Sequence, residues 1–237
     1  MMSQISPQSL DSGSRLPRHR HATAYVAIVL EGSYCETGDL GRLSASAGDV
    51  LVHGRWEAHQ DIVGSNGARL LNVPTDLDRL PGLYRSEKLD LVLKALRDGE
   101  TGDLAEWFEP SLVPVQQCGG DWPEQLVASI NQDPSLSLGA WAAERNLRPP
   151  EVSRGFAARY GLSPKKFRAE AKARTALLSI LKSHATLASI AQASGFSDQS
   201  HMTTAICAMT GRPPSFWRFP RSPGQDVRMP RKTCDGA

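Results

Sequence analysis

Twice between Leu138 and Gly211 the chain runs through the same order of signals: a short apolar-faced helix, a turn, and a second helix stopped by glycine. In the first round Leu138, Trp141, Ala142 and Leu147 can line one helical face, and the chain turns through residues 146–148. Pro149 and Pro150 then suit the start of a new helix, because their φ is already helical and a first-turn N–H has no partner to lose. Val152, Phe156 and Tyr160 recur on its buried side, Ser153, Arg154 and Arg159 fall away from it, and Gly161 stops it. In the second round Leu187, Ile190 and Ala191 form the apolar face, and Gly195 supplies the turn. Ser197 or Asp198 caps the next helix, Met202, Ile206 and Met209 face inward, and Gly211 ends it. Residues 165–183 between the rounds have high helix propensity. At 1.5 Å per residue that helix spans roughly 27 Å, enough to set two recognition helices in successive major grooves, about 34 Å apart.

Charge points the same way. Residues 121–220 hold 12 Lys and Arg against 7 Asp and Glu, whereas residues 1–120 hold 11 against 16. A basic half joined to an acidic half fits one domain with a polyanionic partner. The four cysteines are far apart and form no CxxC pair, which fits reduced thiols rather than a disulfide framework or a zinc finger. The N-terminal stretch lacks an apolar signal region, and the longest apolar run, 24–30, is far short of a membrane span, so a soluble cytoplasmic protein is expected.

About 100 residues of the C-terminal half resemble the AraC/XylS-type transcription regulators. The strongest part is IAQASGFSDQSHM followed by TGRPPSFWR, similar to that family's second-unit signature, and the first unit matches through Ser153, Arg154, Phe156, Gly161, Ser163 and Pro164. The resemblance implies that the two second helices meet duplex DNA. Arg154 would read a guanine edge or clamp a phosphate, and Gln199 would read adenine. Ser153, Ser200, His201 and Thr203 would add base or phosphate contacts, and Lys165, Lys166, Arg168 and Arg218 would position the phosphates. Two positions depart: Thr204 stands where the family has Arg, which removes a DNA contact, and Ile206 where it has Phe.

In the N-terminal half, residues 1–18 are polar and are expected to begin as a disordered arm. From 19 to about 75 short apolar runs alternate with Gly, Asn and Asp, a β texture with strands at 25–30 and 50–53. Gly13, His19, His21, Tyr25, Gly32, Gly48 and His59 fall at spacings that resemble the paired motifs of the cupin fold. That resemblance implies a small barrel in which His19, His21 and His59 converge on a divalent metal. Tyr25 stands where the motif's carboxylate would be, so the expected site has neutral ligands only; His53 is the lesser candidate. The other reading of these histidines is a pocket for a small organic effector.

The sequence thus predicts a two-domain α+β chain. Residues 1–82 are the arm and a cupin-like sensor β-barrel, 83–120 a helical connector and linker, 121–220 an all-α AraC-type DNA-binding domain with two helix-turn-helix units joined by a long helix, and 221–237 a flexible tail. In the connector, Ser86 is expected to cap a helix with Leu89, Val92 and Leu96 on its apolar face, and a short helix follows near 103–108; that face either forms a homodimer surface or packs on the barrel. The partners expected are double-stranded DNA and a small-molecule effector, with no membrane. No catalytic residues are assigned and the chain is not expected to be an enzyme. The alternatives are a metal-dependent cupin enzyme fused to a DNA-binding domain, and a DNA-binding regulator whose sensor is inactive.

Overall fold

The computed structural model describes residues 6–75, 80–99, 108–117 and 120–218. The chain divides into two compact units between residues 124 and 125.

Apolar side chains at successive positions from Tyr25 to Leu30 suit a strand covered on both faces. Val26 and Ile28 pack with Val50, Val52, Tyr84, Val92 and Leu96, while Ala27 and Val29 pack with Tyr34, Leu51, Val63 and Leu70. Among the described residues eight strands make one antiparallel sheet: β1 (Ser6–Leu10), β2 (Arg15–Arg20), β3 (Tyr25–Gly38), β4 (Gly41–Ser46), β5 (Val50–His53), β6 (Ala58–Pro74), β7 (Gly82–Arg85) and β8 (Val113–Pro114). The long strands β3 and β6 pair along most of their length, and short strands flank both: β1 and β2 on β6, β4 and β5 on β3. Gly32, at φ 72°, lies at a bulge in β3 and pairs with Ala68 of β6, whose neighbour Gly67 has φ 71°. A side chain at Gly32 would collide with the carbonyl of Gly67, so the two backbones meet there.

Helix α1 (Leu89–Arg97) covers one sheet face through Val92 and Leu96. Helix α2 (Trp122–Gln132) crosses the division, and in the second unit α3 is Leu138–Glu144, α4 Pro149–Tyr160, α5 Pro164–Lys182, α6 Leu187–Ala193, α7 Gln199–Thr210 and α8 Pro214–Arg218. Short polar side chains open four of them: Ser137, Ser163, Thr186 and Asp198 each accept a backbone N–H from the first turn. Gly161 and Gly211 end α4 and α7 in the left-handed conformation, where glycine carries no Cβ penalty. Among the described residues no helix is long and apolar enough to cross a membrane.

Several expectations need correction. The arm is strand from Ser6 onward, because the edge of β6 offers unpaired backbone groups and Leu10 and Leu16 have apolar surface to cover. The strand expected to end near residue 30 runs on to Gly38, since Gly32 bends it instead of ending it. Ser86 is not the cap of α1: that position is Lys88, and the Ser86 hydroxyl accepts the Lys88 N–H from outside the helix. The linker expected from residue 110 instead opens in a 3-10 turn, Glu109–Ser111, and then forms β8, where Pro114 is tolerated on an edge strand. The expected helix near 103–108 and the tail from 221 lie outside the described residues, save Phe108.

Candidate functional site

In the helical unit, α3 and α4 form one helix-turn-helix pair, and α6 and α7 the other. Asn146 takes a positive φ of 55° in the first turn and Gly195 one of 75° in the second. The apolar sides are buried: Val152, Phe156 and Tyr160 of α4, and Met202 and Ile206 of α7. Met209, expected inside, is half-buried, and Thr210 takes the buried place, its hydroxyl donating to the carbonyl of Ile206 or of Arg212. The spacer α5 packs against α4, α6, α7 and α8. Its inner row of Phe167, Ala171, Ala173, Ala176, Leu177 and Ile180 lets neighbouring helices approach closely.

The DNA-facing candidates separate into free and engaged side chains. Ser153 and Arg154 are exposed on α4, as are Lys165 and Lys166 in the first turn of α5. Arg168 is half-buried and its guanidinium donates to the carbonyl of Leu136, while Arg218 donates to that of Ala185. Both guanidiniums therefore brace the fold through a backbone carbonyl. On α7, Gln199 and Ser200 are exposed and Thr203 is half-buried. His201 is exposed, with Nδ1 3.2 Å from the Ser197 hydroxyl and its ring edge-on to Phe196. Thr204 spends its hydroxyl hydrogen on the Ser200 carbonyl, 3.1 Å away. Helix α7 carries no Lys or Arg, so the first unit presents the fixed cations.

In the sheet unit, register brings the histidines together. His19 of β2 pairs with His59 of β6, and His21 follows two residues on, so both β2-side rings face the same way. Arg18 faces away and clamps the strands, donating to Asp39 at 2.7 Å and to the Ala58 carbonyl at 3.1 Å. One ring nitrogen from each of His19, His21 and His59 lies within 4.8 Å of the others. The Nε2 atoms of His19 and His59 are 3.0 Å apart. Gly38, across from His59 on β3, makes this possible, since a side chain there would overlap His59.

A carboxylate that sequence reasoning missed completes the cluster. Glu36, 3% exposed, places Oε1 3.1 Å from His59 Nδ1 and Oε2 3.6 Å from His53 Nε2. The cluster thus includes a buried carboxylate beside the imidazoles. Tyr25, in the motif's carboxylate place, instead stacks on His53 with ring centroids 4.3 Å apart. Asp61 faces Glu36 across β3 and β6, and its Oδ1 is buried without a hydrogen-bond partner, as is His21 Nε2. These side chains line a cavity of about 80 Å³.

The electrostatics follow from burial. Desolvation, reinforced by neighbouring imidazoles, lowers His21 to about 4. It also lowers His53 to about 4, against the pull of Glu36, and it lifts Asp61 to about 6. For Glu36 burial acts upward, but His53 and His59 hold it below the usual carboxylate range. For His59 burial acts downward, yet the Glu36 carboxylate beside it prevails and raises it.

Hydrogen bonding adds a sharper constraint. His19 Nδ1 lies 3.0 Å from the Pro17 carbonyl, which can only accept, so Nδ1 carries the proton. His59 Nδ1 lies 3.1 Å from Glu36 Oε1, without the geometry of a formed hydrogen bond. With the His59 proton on Nδ1, the two Nε2 lone pairs face each other at 3.0 Å, an arrangement that needs a proton or a cation between them. Zn–N bonds of about 2.0–2.1 Å at the tetrahedral angle would set ligand nitrogens about 3.3 Å apart, so the His19–His59 pair fits a divalent metal, with His21 within 4.8 Å of both.

Residues 141–219 match the family model described as a helix-turn-helix domain. No curated protein sequence matches the chain. Among solved structures, ToxT from Vibrio cholerae is 11% identical, with 91% of this chain and 96% of that one covered at a TM-score of 0.43. The C-terminal domain of AraT, a response regulator from Geobacillus stearothermophilus, is 21% identical over 46% of this chain and 95% of its own, at 0.41. That of the two-component response regulator yesN from Fusobacterium nucleatum is 17% identical over 42% and 100%, at 0.40.

Proposed function

We propose, from the premise that residues 141–219 are an AraC-type helix-turn-helix domain of a DNA-binding transcription regulator, that the chain reads a specific operator and answers to a ligand held in its N-terminal unit. The observation that carries the DNA reading is the doubled helix-turn-helix pair built around α5. In this reading Arg154 and Ser153 of α4 and Gln199, Ser200, His201 and Thr203 of α7 contact base edges or phosphates, and Lys165 and Lys166 contact phosphates from the start of α5. Arg168 and Arg218 act indirectly, by holding the helices that carry those groups. The first unit supplies most of the affinity because it holds the free cations.

The N-terminal unit is, in the same proposal, a cupin-like barrel. Side chains from β1, β2, β3, β5 and β6 all reach one cavity, which supports a rolled sheet. Its ligand is a divalent cation bound by His19, His21 and His59. Size favours this over an organic effector: about 80 Å³ holds a cation and a water or two, whereas pockets for drug-sized ligands start near 300 Å³. The facing Nε2 atoms accommodate such a cation or a shared proton. Bound cation changes DNA affinity to the extent that it binds one of two conformational states better.

Titration of the full chain against promoter fragments at two salt concentrations, with zinc or with chelator, tests the reading. Tight binding that weakens steeply with salt and differs between zinc and chelator is expected. No binding at low salt rejects the DNA reading. Binding that ignores zinc leaves a DNA-binding regulator without a cation switch.

A further inference from the structure

A histidine binds metal through a bare ring nitrogen, and which nitrogen is bare depends on what the other one bonds. His19 is set by backbone, through the Pro17 carbonyl. His59 has no such carbonyl at its Nδ1; what stands there is Glu36 Oε1 at 3.1 Å. The two nitrogens of an imidazole lie on opposite edges of the ring. A carboxylate that holds Nδ1 therefore lies behind His59, on the far side from a cation at Nε2.

We infer that Glu36 is the positioning residue of the divalent-cation site: it accepts the Nδ1–H of His59, fixes that ring's tautomer, and turns the bare Nε2 toward His19 and His21. The inference rests on the cation reading above and gives the site its missing anion. Two features of the chain support it. Glu36 is 3% exposed, so water cannot take its place beside His59. Gly38, two residues further along the same strand, leaves the space that the His59 side chain fills. A buried anion behind one of three neutral imidazoles also raises the basicity of that imidazole and offsets part of a dication's charge. The strand that carries Tyr25 in the motif's carboxylate place thus delivers a carboxylate from its other half, beyond the Gly32 bulge.

The test uses the untagged full chain and its Glu36→Gln variant, with Zn²⁺ and Co²⁺ as probes. The variant should bind Zn²⁺ about 10–100-fold more weakly, the usual loss when an outer hydrogen-bond partner is removed. The visible spectra of the two Co²⁺ forms should coincide, because the three nitrogen ligands are unchanged. In metal-free wild-type protein in alkaline buffer, ring ¹⁵N shifts should put the His59 proton on Nδ1, and in Glu36→Gln the tautomers should mix. Equal Zn²⁺ affinity, or a wild-type His59 with its proton on Nε2, overturns the positioning role and leaves the cation site standing. A shifted Co²⁺ spectrum makes Glu36 a ligand and also overturns it. Wild-type protein that binds neither ion overturns the reading underneath. The wild-type tautomer needs no variant, so the inference is decided even where Glu36→Gln fails to fold.

Discussion

A Cβ at Gly38 would sit 2.7 Å from the Cβ of His59 and 2.5 Å from the carbonyl oxygen of Ala58. Neither neighbour can yield easily, because Ala58 is bonded through its N–H to Asp39 and through its C=O to Arg18. Gly38→Ala should therefore destabilise the sheet unit by about 1–3 kcal/mol in denaturant unfolding and displace the His59 ring. Zinc affinity should fall with it, and a variant as stable as wild type would mean that β3 and β6 are further apart than described. The ligand set itself predicts a metal preference. Three imidazoles are borderline-soft donors, so Zn²⁺ or Ni²⁺ should bind more tightly than Mn²⁺, with Glu36 outside the coordination shell. Elemental analysis of His19→Ala/His59→Ala protein checks the same residues, since metal retained in that double variant would place the site elsewhere.

At the scale of elements, the two recognition helices are unequal. Arg154→Ala should weaken operator binding by about 5–150-fold, the worth of one good base contact. Thr204→Ala should have little effect, because that hydroxyl already donates within α7. Equal small losses in a binding titration would show that α4 does not face DNA as proposed. The helical half was the more legible in the sequence because its signals are local: prolines at the start of α4, Asp198 before α7, and a glycine after each helix. The sheet was only partly legible. Glu31-Gly32 reads as the end of a strand, yet it is a bulge within β3, and stopping there hid Glu36. Alternation of Tyr34, Glu36 and Gly38 on one side of an extended strand was the signal that could have exposed it. Arg168 and Arg218 show a different limit. Their type suggests phosphate binding, and only tertiary geometry reveals the carbonyls of Leu136 and Ala185 that engage them.

For the whole molecule, the proposed cation binding would also be a stability term. Zinc at 100 times its dissociation constant should stabilise the sheet unit by about 2.7 kcal/mol, which calorimetry reads as a rise in that unit's transition on loading and a fall with chelator. A transition that ignores zinc would count against binding in the native state. The sharing of β6 by three other strands has a consequence in time. Ser6 pairs with Asn72 and His19 with His59, so the first strands of the chain cannot find partners until its middle is in place. Helices α3 to α7, by contrast, meet neighbours close in sequence. Non-local pairing slows folding and local contact hastens it. On dilution from denaturant the DNA-binding half should regain structure first, within the range of helical domains, and the histidine cluster should assemble last. With Trp107, Trp122 and Trp217 replaced by Phe, Trp56, buried in the sheet unit, and Trp141, buried among the helices, would report the two halves. A newly refolded molecule should thus pass through an interval in which it can hold DNA but cannot yet register the cation.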